Sequence, residues 1–165
     1  MPYTVSTSGM DDVARMLKTL GDDAGKVASA ALYEGAGIMA DAIQRGAESI
    51  ATAPFKYASG GQTRLPSPEE KDIVTGKRRI GIAKFKTDGM DVDTSVGYGR
   101  SGYAMLVGKK VAVPLIANSI NSGTTFMKKQ PFFRKAASTG GKRATDAIRA
   151  SIEKNLQEII DKNGG

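Results

Sequence analysis

The chain has 165 residues, 40% of them apolar and 25% charged, which is the composition of one globular domain with a core of its own. It contains no Cys and no His, and this excludes disulfides, thiolate and imidazole metal sites, and every nucleophile that needs a His partner. The formal charge is +7, from 24 basic and 17 acidic side chains; catalysis would have to rest on carboxylates, Lys, Tyr or Ser, so the expectation is no enzyme, no cofactor and no metal.

Met1-Pro2-Tyr3-Thr4-Val5-Ser6 lacks the basic and apolar regions of a secretory signal. The longest apolar runs, Val111 to Ala117 among them, are about seven residues against the roughly 20 of a membrane span. No membrane is expected, and the chain reads as made in a cytoplasm. Ser8 suits the cap of a first helical turn carrying Asp11 and Asp12, and Val13, Met16, Leu17 and Leu20 form one apolar stripe. After the interruption at Gly21-Asp22-Asp23 and Gly25, a second stripe runs through Leu32, Ala36, Met39, Ile43, Ala47 and Ile50, in an Ala-rich stretch that Pro54 ends. Residues 55–71, with Ser59-Gly60-Gly61 and Pro66-Ser67-Pro68, read as an exposed loop.

Strands come next. Ile80 and Ile82 alternate within Arg79 to Lys86, and Val92, Thr94, Val96 and Tyr98 share one face, with Asp91, Asp93, Ser95 and Gly97 on the other. Asp88-Gly89 between these runs favours a tight hairpin turn. Tyr103 to Ile120 fits strand or buried helix equally. Ala144, Ala147, Ile148, Ile152, Leu156 and Ile159 make a last helical stripe. The expected fold is α+β: a long N-terminal helix, a central antiparallel sheet with a β-hairpin, and a C-terminal helix packed on the sheet. One domain spans 1–165, helical over 8–53, an exposed loop over 55–71, β-rich over 72–127 and helical over 131–162.

Charge is uneven: residues 1–50 carry net −3 and residues 51–165 net +10. No acid lies between Asp93 and Asp146, a stretch that holds Arg100, Lys109, Lys110, Lys128 and Lys129. Either these cations contact a polyanion or they form a solvated face.

The catalytic motifs are weak. Gly97-Tyr98-Gly99-Arg100-Ser101-Gly102 spells a dinucleotide fingerprint, but no acid follows at the ribose spacing, so a turn is expected. Gly102 to Lys110 has the wrong spacing for a phosphate loop, and Lys110 stands where a magnesium ligand should be. Asp91 and Asp93 read as solvent-facing acids rather than metal ligands, and Glu69-Glu70-Lys71 as a loop. Gln130-Pro131-Phe132-Phe133-Arg134-Lys135-Ala136 is the densest signal: Pro131 suits a helix start. Its aromatics are either buried in the domain's own core or form an anchor with a basic rim at an interface.

Three pieces of this sequence resemble one family. They are the Ala-rich helix closing on Ala53-Pro54, then Thr75-Gly76-Lys77-Arg78-Arg79-Ile80-Gly81-Ile82, then Gly123-Thr124 followed by Gln130 to Ala136. The second is similar to a T-G-x-L-R-x-S-I pattern, and the third to G-T…P-F-L-R-P-A before a last helix. The family is that of the head–tail joining, or tail-completion, proteins of long-tailed bacteriophages. The chain departs from its pattern at Asn121, where Glu is usual, at Arg78, where Leu is usual, and at Lys135 in place of a second Pro.

The resemblance implies a structural virion protein that forms a ring, six-fold by expectation, in the neck. Its partners would be the head-closure or connector ring, the tail terminator or tail tube, and phage DNA in the lumen. Gly76 and Arg78 would set the lead-in to the sheet, Gly123 and Thr124 the turn before the last helix, and Pro131, Phe132, Phe133 and Arg134 its anchorage. The alternative is a basic nucleic-acid-binding module using the acid-free segment 94–145.

Overall fold

The computed structural model describes residues 3–6, 21–57, 59–88, 91–99 and 102–163. In chain order the elements are β1 (Tyr3–Ser6), α1 (Ala24–Glu48), α2 (Pro68–Thr75), β2 (Ile80–Ile82), β3 (Lys86–Asp88) and β4 (Asp91–Tyr98). They continue with β5 (Tyr103–Leu106), β6 (Lys109–Ala112), α3 (Val113–Ser122) and α4 (Phe132–Asn163).

Two apolar stripes dictate the largest contact. Leu32, Ala36, Met39, Ile43 and Ala47 of α1 are buried, and Ala144, Ile148, Ile152 and Leu156 of α4 are buried opposite them. The helices run antiparallel: Gly35 faces Ile148, Gly140 faces Ala42, and Gly46 faces the first turn of α4 at Phe132. Small residues let them approach closely. A Cβ on Gly140 would stand 2.6 Å from the Cβ of Ala42, and one on Gly46 2.9 Å from the Phe132 carbonyl oxygen.

The sheet lies against α1, with β4 at its centre. β1 pairs antiparallel along one edge of β4, and β2 and β3 share the other. Val92, Thr94 and Val96 are buried and Asp91 and Asp93 exposed, so the expected alternation holds as far as Val96, while Gly97, expected on the outer face, is buried as well. β2 and β3 are one strand broken by a bulge: Ile82 pairs with Val96 and Lys86 with Asp93, leaving three residues opposite two. The Thr94 hydroxyl donates to the Ala83 carbonyl (2.7 Å), satisfying a group the bulge would otherwise leave unpaired. β3 and β4 form the hairpin, with Asp88 opposite Asp91. The C-terminal helix meets the sheet through Phe132 and Phe133 against Tyr98. The fold is α+β.

The first apolar stripe, Val13 to Leu20, lies outside the described residues. Three other boundaries differ from the sequence reading. Helix α1 ends at Glu48 rather than at Pro54, because the Gln130 side chain takes both the N–H and the carbonyl of Ala51 (2.9 and 2.8 Å). Residues 55–71 are not all loop: Ser67 and Glu70 close a reciprocal capping box with Pro68 at the helix start, and α2 follows. Within the β-rich 72–127, Val113, Ile116, Ala117 and Ile120 are buried at helical spacing and make α3, again with a Pro in its first turn.

Candidate functional site

The family-like residues fall into two junctions. At the start of α4, Gln130 clamps Ala51, and its own N–H donates to the Ile120 carbonyl (2.8 Å). Asn121 accepts from the Phe133 N–H (3.1 Å), capping α4 from α3. The Pro131 carbonyl accepts the N–H of Lys135 (3.1 Å). Phe132 is 2% exposed and stacks with Phe133 and Tyr98 at ring separations of 4.8 to 6.4 Å. Phe132 is therefore spent on the chain's own core, whereas Arg134 beside it is exposed. Gly123 ends α3 at φ 77°, and a Cβ there would meet Lys129 at 3.0 Å, so both conformation and space require glycine. Thr124 Oγ1 then accepts from the Phe126 and Met127 N–H groups (3.3 and 3.0 Å) and tightens the turn.

The second junction joins α2 to β2. Gly76 ends α2 beneath the Arg79 side chain, and Arg78 sits at φ 60°, a left-handed position at the turn into the sheet. Arg79 reaches on to the Tyr103 carbonyl (3.2 Å). The Tyr98 hydroxyl donates to the Val74 carbonyl (2.9 Å), and burial pushes its pKa up. A strap formed by residues 59–67 holds α2: Arg64 pairs with Glu70 through two bonds of 2.6 and 2.7 Å, and bridges Met127 by its backbone. Burial acts to raise the Glu70 carboxyl, but the Arg64 guanidinium and the Ser67 N–H outweigh it and hold it below the usual carboxylate range. Glu69-Glu70-Lys71, read from the sequence as a loop, is thus the first turn of α2. Phe55 and Tyr57, ahead of the strap, lie at the surface, with Arg64 stacked on the Phe55 ring.

The segment from 103 to 112 resolves into a second hairpin, β5–β6, not foreseen from the sequence. Ala104, Leu106 and Val111 pack on the core. The opposite face carries Tyr103, Met105 and Lys110, with the Lys110 ammonium over the Tyr103 ring. Tyr103 is 52% exposed, Met105 65%, Val107 77% and, in the first turn of α3, Leu115 63%. Val107 and Gly108 both have positive φ, the hairpin turn that Asn-Gly usually supplies, so the β-branched Val107 is strained. The Gly97–Gly102 motif begins in β4 and is followed by β5, not by a helix, and the Gly102 N–H donates to the Gly99 carbonyl. Arg100 lies outside the described residues.

The described cations of the acid-free segment sit on different elements. Lys109 and Lys110 are on the hairpin, Lys128 and Lys129 follow the Gly123 turn beside a shallow cleft, and Lys135 and Arg143 are on α4. Lys135 and Arg143 instead share a groove with Arg45 of α1. Sequence reasoning missed Arg45, whose only signal is its place in the last turn of α1. Asp91 and Asp93 are exposed, and among the described residues no group of three acids is placed to hold a metal ion. No helix of the described residues is long and apolar enough to cross a membrane. No protein-family model matches the chain, and no curated protein or solved structure matches it either.

Proposed function

We propose that this chain is a structural protein of a tailed-phage virion, assembling as a ring in the neck to join head and connector to the tail. The observation that carries the reading is the outer face of hairpin β5–β6. Tyr103, Met105, Val107 and Leu115 are large apolar side chains more than half exposed, close together in sequence, on elements whose other faces are already buried. Water-exposed apolar clusters of this kind mark protein contacts, and a strained Val at the tip is kept at a stability cost that a contact would offset. The family-like motifs, by contrast, sit at the two junctions that hold this hairpin and α4 on the body. In a ring the contact is heterologous, one copy's hairpin against a different surface of the next, closed by rotation. The role is mechanical, in a particle assembled in a bacterial cytoplasm, with neighbouring neck and tail rings as partners.

Light scattering at several concentrations and two salt levels tests this. The expected result is a discrete multiple of the 17.3 kDa chain, near six-fold, that persists in high salt and falls to monomer in Met105→Asp. A monomer at every concentration removes self-assembly, and an oligomer indifferent to Met105→Asp removes the hairpin as its contact.

A further inference from the structure

Where the first turns of α4 cross the last turns of α1, the helices leave an open groove of about 310 Å³. Its floor is Ala42, Gly46 and Ala136, and its walls carry Arg45, Lys135 and Arg143. No acid lines it. Among the described residues, none of the three cations is within 4.0 Å of a carboxylate oxygen. Asp41, Glu48 and Asp146 each lie about one helical turn from Arg45 or Arg143 in sequence, outside the lining.

No ion pair among the described residues neutralises this concentration of charge. Lys135 stands in the first turn of α4, which contains no acid, so it opposes the helix dipole, and its like-charged neighbours add repulsion. Three backbone N–H groups of that turn are already taken: Phe132 donates to the Gln130 carbonyl, Phe133 to Asn121 Oδ1 and Lys135 to the Pro131 carbonyl. The Thr139 hydroxyl is engaged with the carbonyls of Lys135 and Ala136. What the groove offers a ligand is therefore cationic side chains alone. From Lys135 to Arg143 the helix rises about 12 Å, at roughly 1.5 Å per residue. That is a track for several phosphates at about 3.4 Å per strand step, not a pocket for one.

We infer that the Arg45–Lys135–Arg143 groove binds the phosphate backbone of a nucleic acid without reading its sequence. Two guanidiniums supply paired donors to phosphate oxygens, and Lys135 adds a point charge. Apart from the Thr139 hydroxyl oxygen no side chain of the groove presents an acceptor, and none presents an aromatic face to a base, so recognition is of charge along a strand. The inference does not depend on the neck reading.

The test is the salt dependence of binding to a short mixed-sequence DNA duplex. Three phosphate contacts contribute a slope of about −2.7 in log K against log salt, which is about 40-fold in affinity between about 50 and about 200 mM. Neutralising all three (Arg45→Gln, Lys135→Gln, Arg143→Gln) should flatten the slope by about that amount, and each single change by about 0.9. All three residues are exposed or at the groove rim, and Arg45→Lys with Arg143→Lys, which keeps the charge, should keep the slope. Lys109→Gln with Lys110→Gln on the hairpin should leave it unchanged. Absence of duplex binding by the wild type in low salt, or a triple variant with the wild-type slope, overturns the inference. Equal affinity for polyglutamate, competing with the duplex, also overturns it and gives the groove to an acidic protein.

Discussion

The α1–α4 seam and the β5–β6 hairpin solve opposite problems with the same kinds of residue. Along the seam, glycine serves closeness: Gly35, Gly46 and Gly140 stand where a Cβ would collide with the facing helix. At the hairpin tip, Gly108 serves a turn and has nothing within 4 Å of where its Cβ would be. The seam hides Met39, Leu32 and Ile148, while the hairpin shows Met105, Val107 and Tyr103 to solvent. Stability is concentrated in the first region and unspent apolar surface in the second. The difference teaches that exposure here is not a shortage of core, since the core is closed without these side chains.

That contrast is open to direct attack at the seam, where the largest effect is expected. Gly140→Leu forces a side chain where even a Cβ sits 2.6 Å from Ala42, and overpacking should cost about 3 kcal/mol. At about 3 °C per kcal/mol for a chain of this size, thermal unfolding should fall by about 9 °C. Gly37→Ala, on the same helix α1 but with open space around it, should instead gain about 1 kcal/mol through helix propensity alone. If both changes move the melting temperature the same way, the seam is not closed as described.

Between the two regions stands α2, which touches α1 on one side and β5 on the other, and is held by the Arg64–Glu70 pair. Glu70→Gln keeps shape and removes charge, and should cost about 2 kcal/mol at neutral pH, the usual scale for a hydrogen bond to a charged group. The sign with pH follows from the depressed folded pKa of Glu70. The wild-type advantage is fully present above the ordinary carboxyl value of 4.5 and is lost as pH falls through the lower folded value. Melting curves of the two proteins should converge in acid. A gap that stays constant to the lowest pH would mean that packing, not the ion pair, holds the strap.

The seam and the central strand were legible in the sequence because each repeats one period over many residues. The α1 stripe and Val92, Thr94 and Val96 are buried as their spacing implies, and of the α4 stripe Ala144, Ile148, Ile152 and Leu156 are buried while Ala147 and Ile159 are half-buried. Two short helices were also written there, Ser67-Pro68-Glu69-Glu70 as a capping box and Val113, Ile116, Ala117 and Ile120 as a stripe. Each is too short, at eight and ten residues, to outweigh the Pro and Gly around it. Other features depend on partners distant in sequence. The bulge between β2 and β3 rests on Thr94, the cap of α4 on Asn121, and the end of α1 on Gln130. The basic groove was hidden for the same reason: an acid-free segment shows up in one stretch of chain, but Arg45 arrives from a different helix. Asn121, noted from sequence only as a departure from the family pattern, turns out to have a position-specific use.

Val107 has no sequence signal at all, because a β-branched residue at a left-handed position runs against propensity; it also gives the smallest and most discriminating test. With Gly108 it forms the turn that an Asn-Gly pair makes without strain. Val107→Asn should therefore release about 1 kcal/mol and raise the melting temperature of the isolated chain by about 3 °C. Stability and association are then predicted to move in opposite directions: the relaxed turn also removes an apolar side chain that is 77% exposed. Dilution series by light scattering should show the variant dissociating at a higher concentration than the wild type. A variant that is more stable and associates equally well would leave Val107 as strain without a use, and would shift the contact to Met105 and Tyr103 on the flat of the hairpin. A variant that is less stable would mean that the turn is not strained, and the contrast between a closed seam and an unspent tip would fail at the tip.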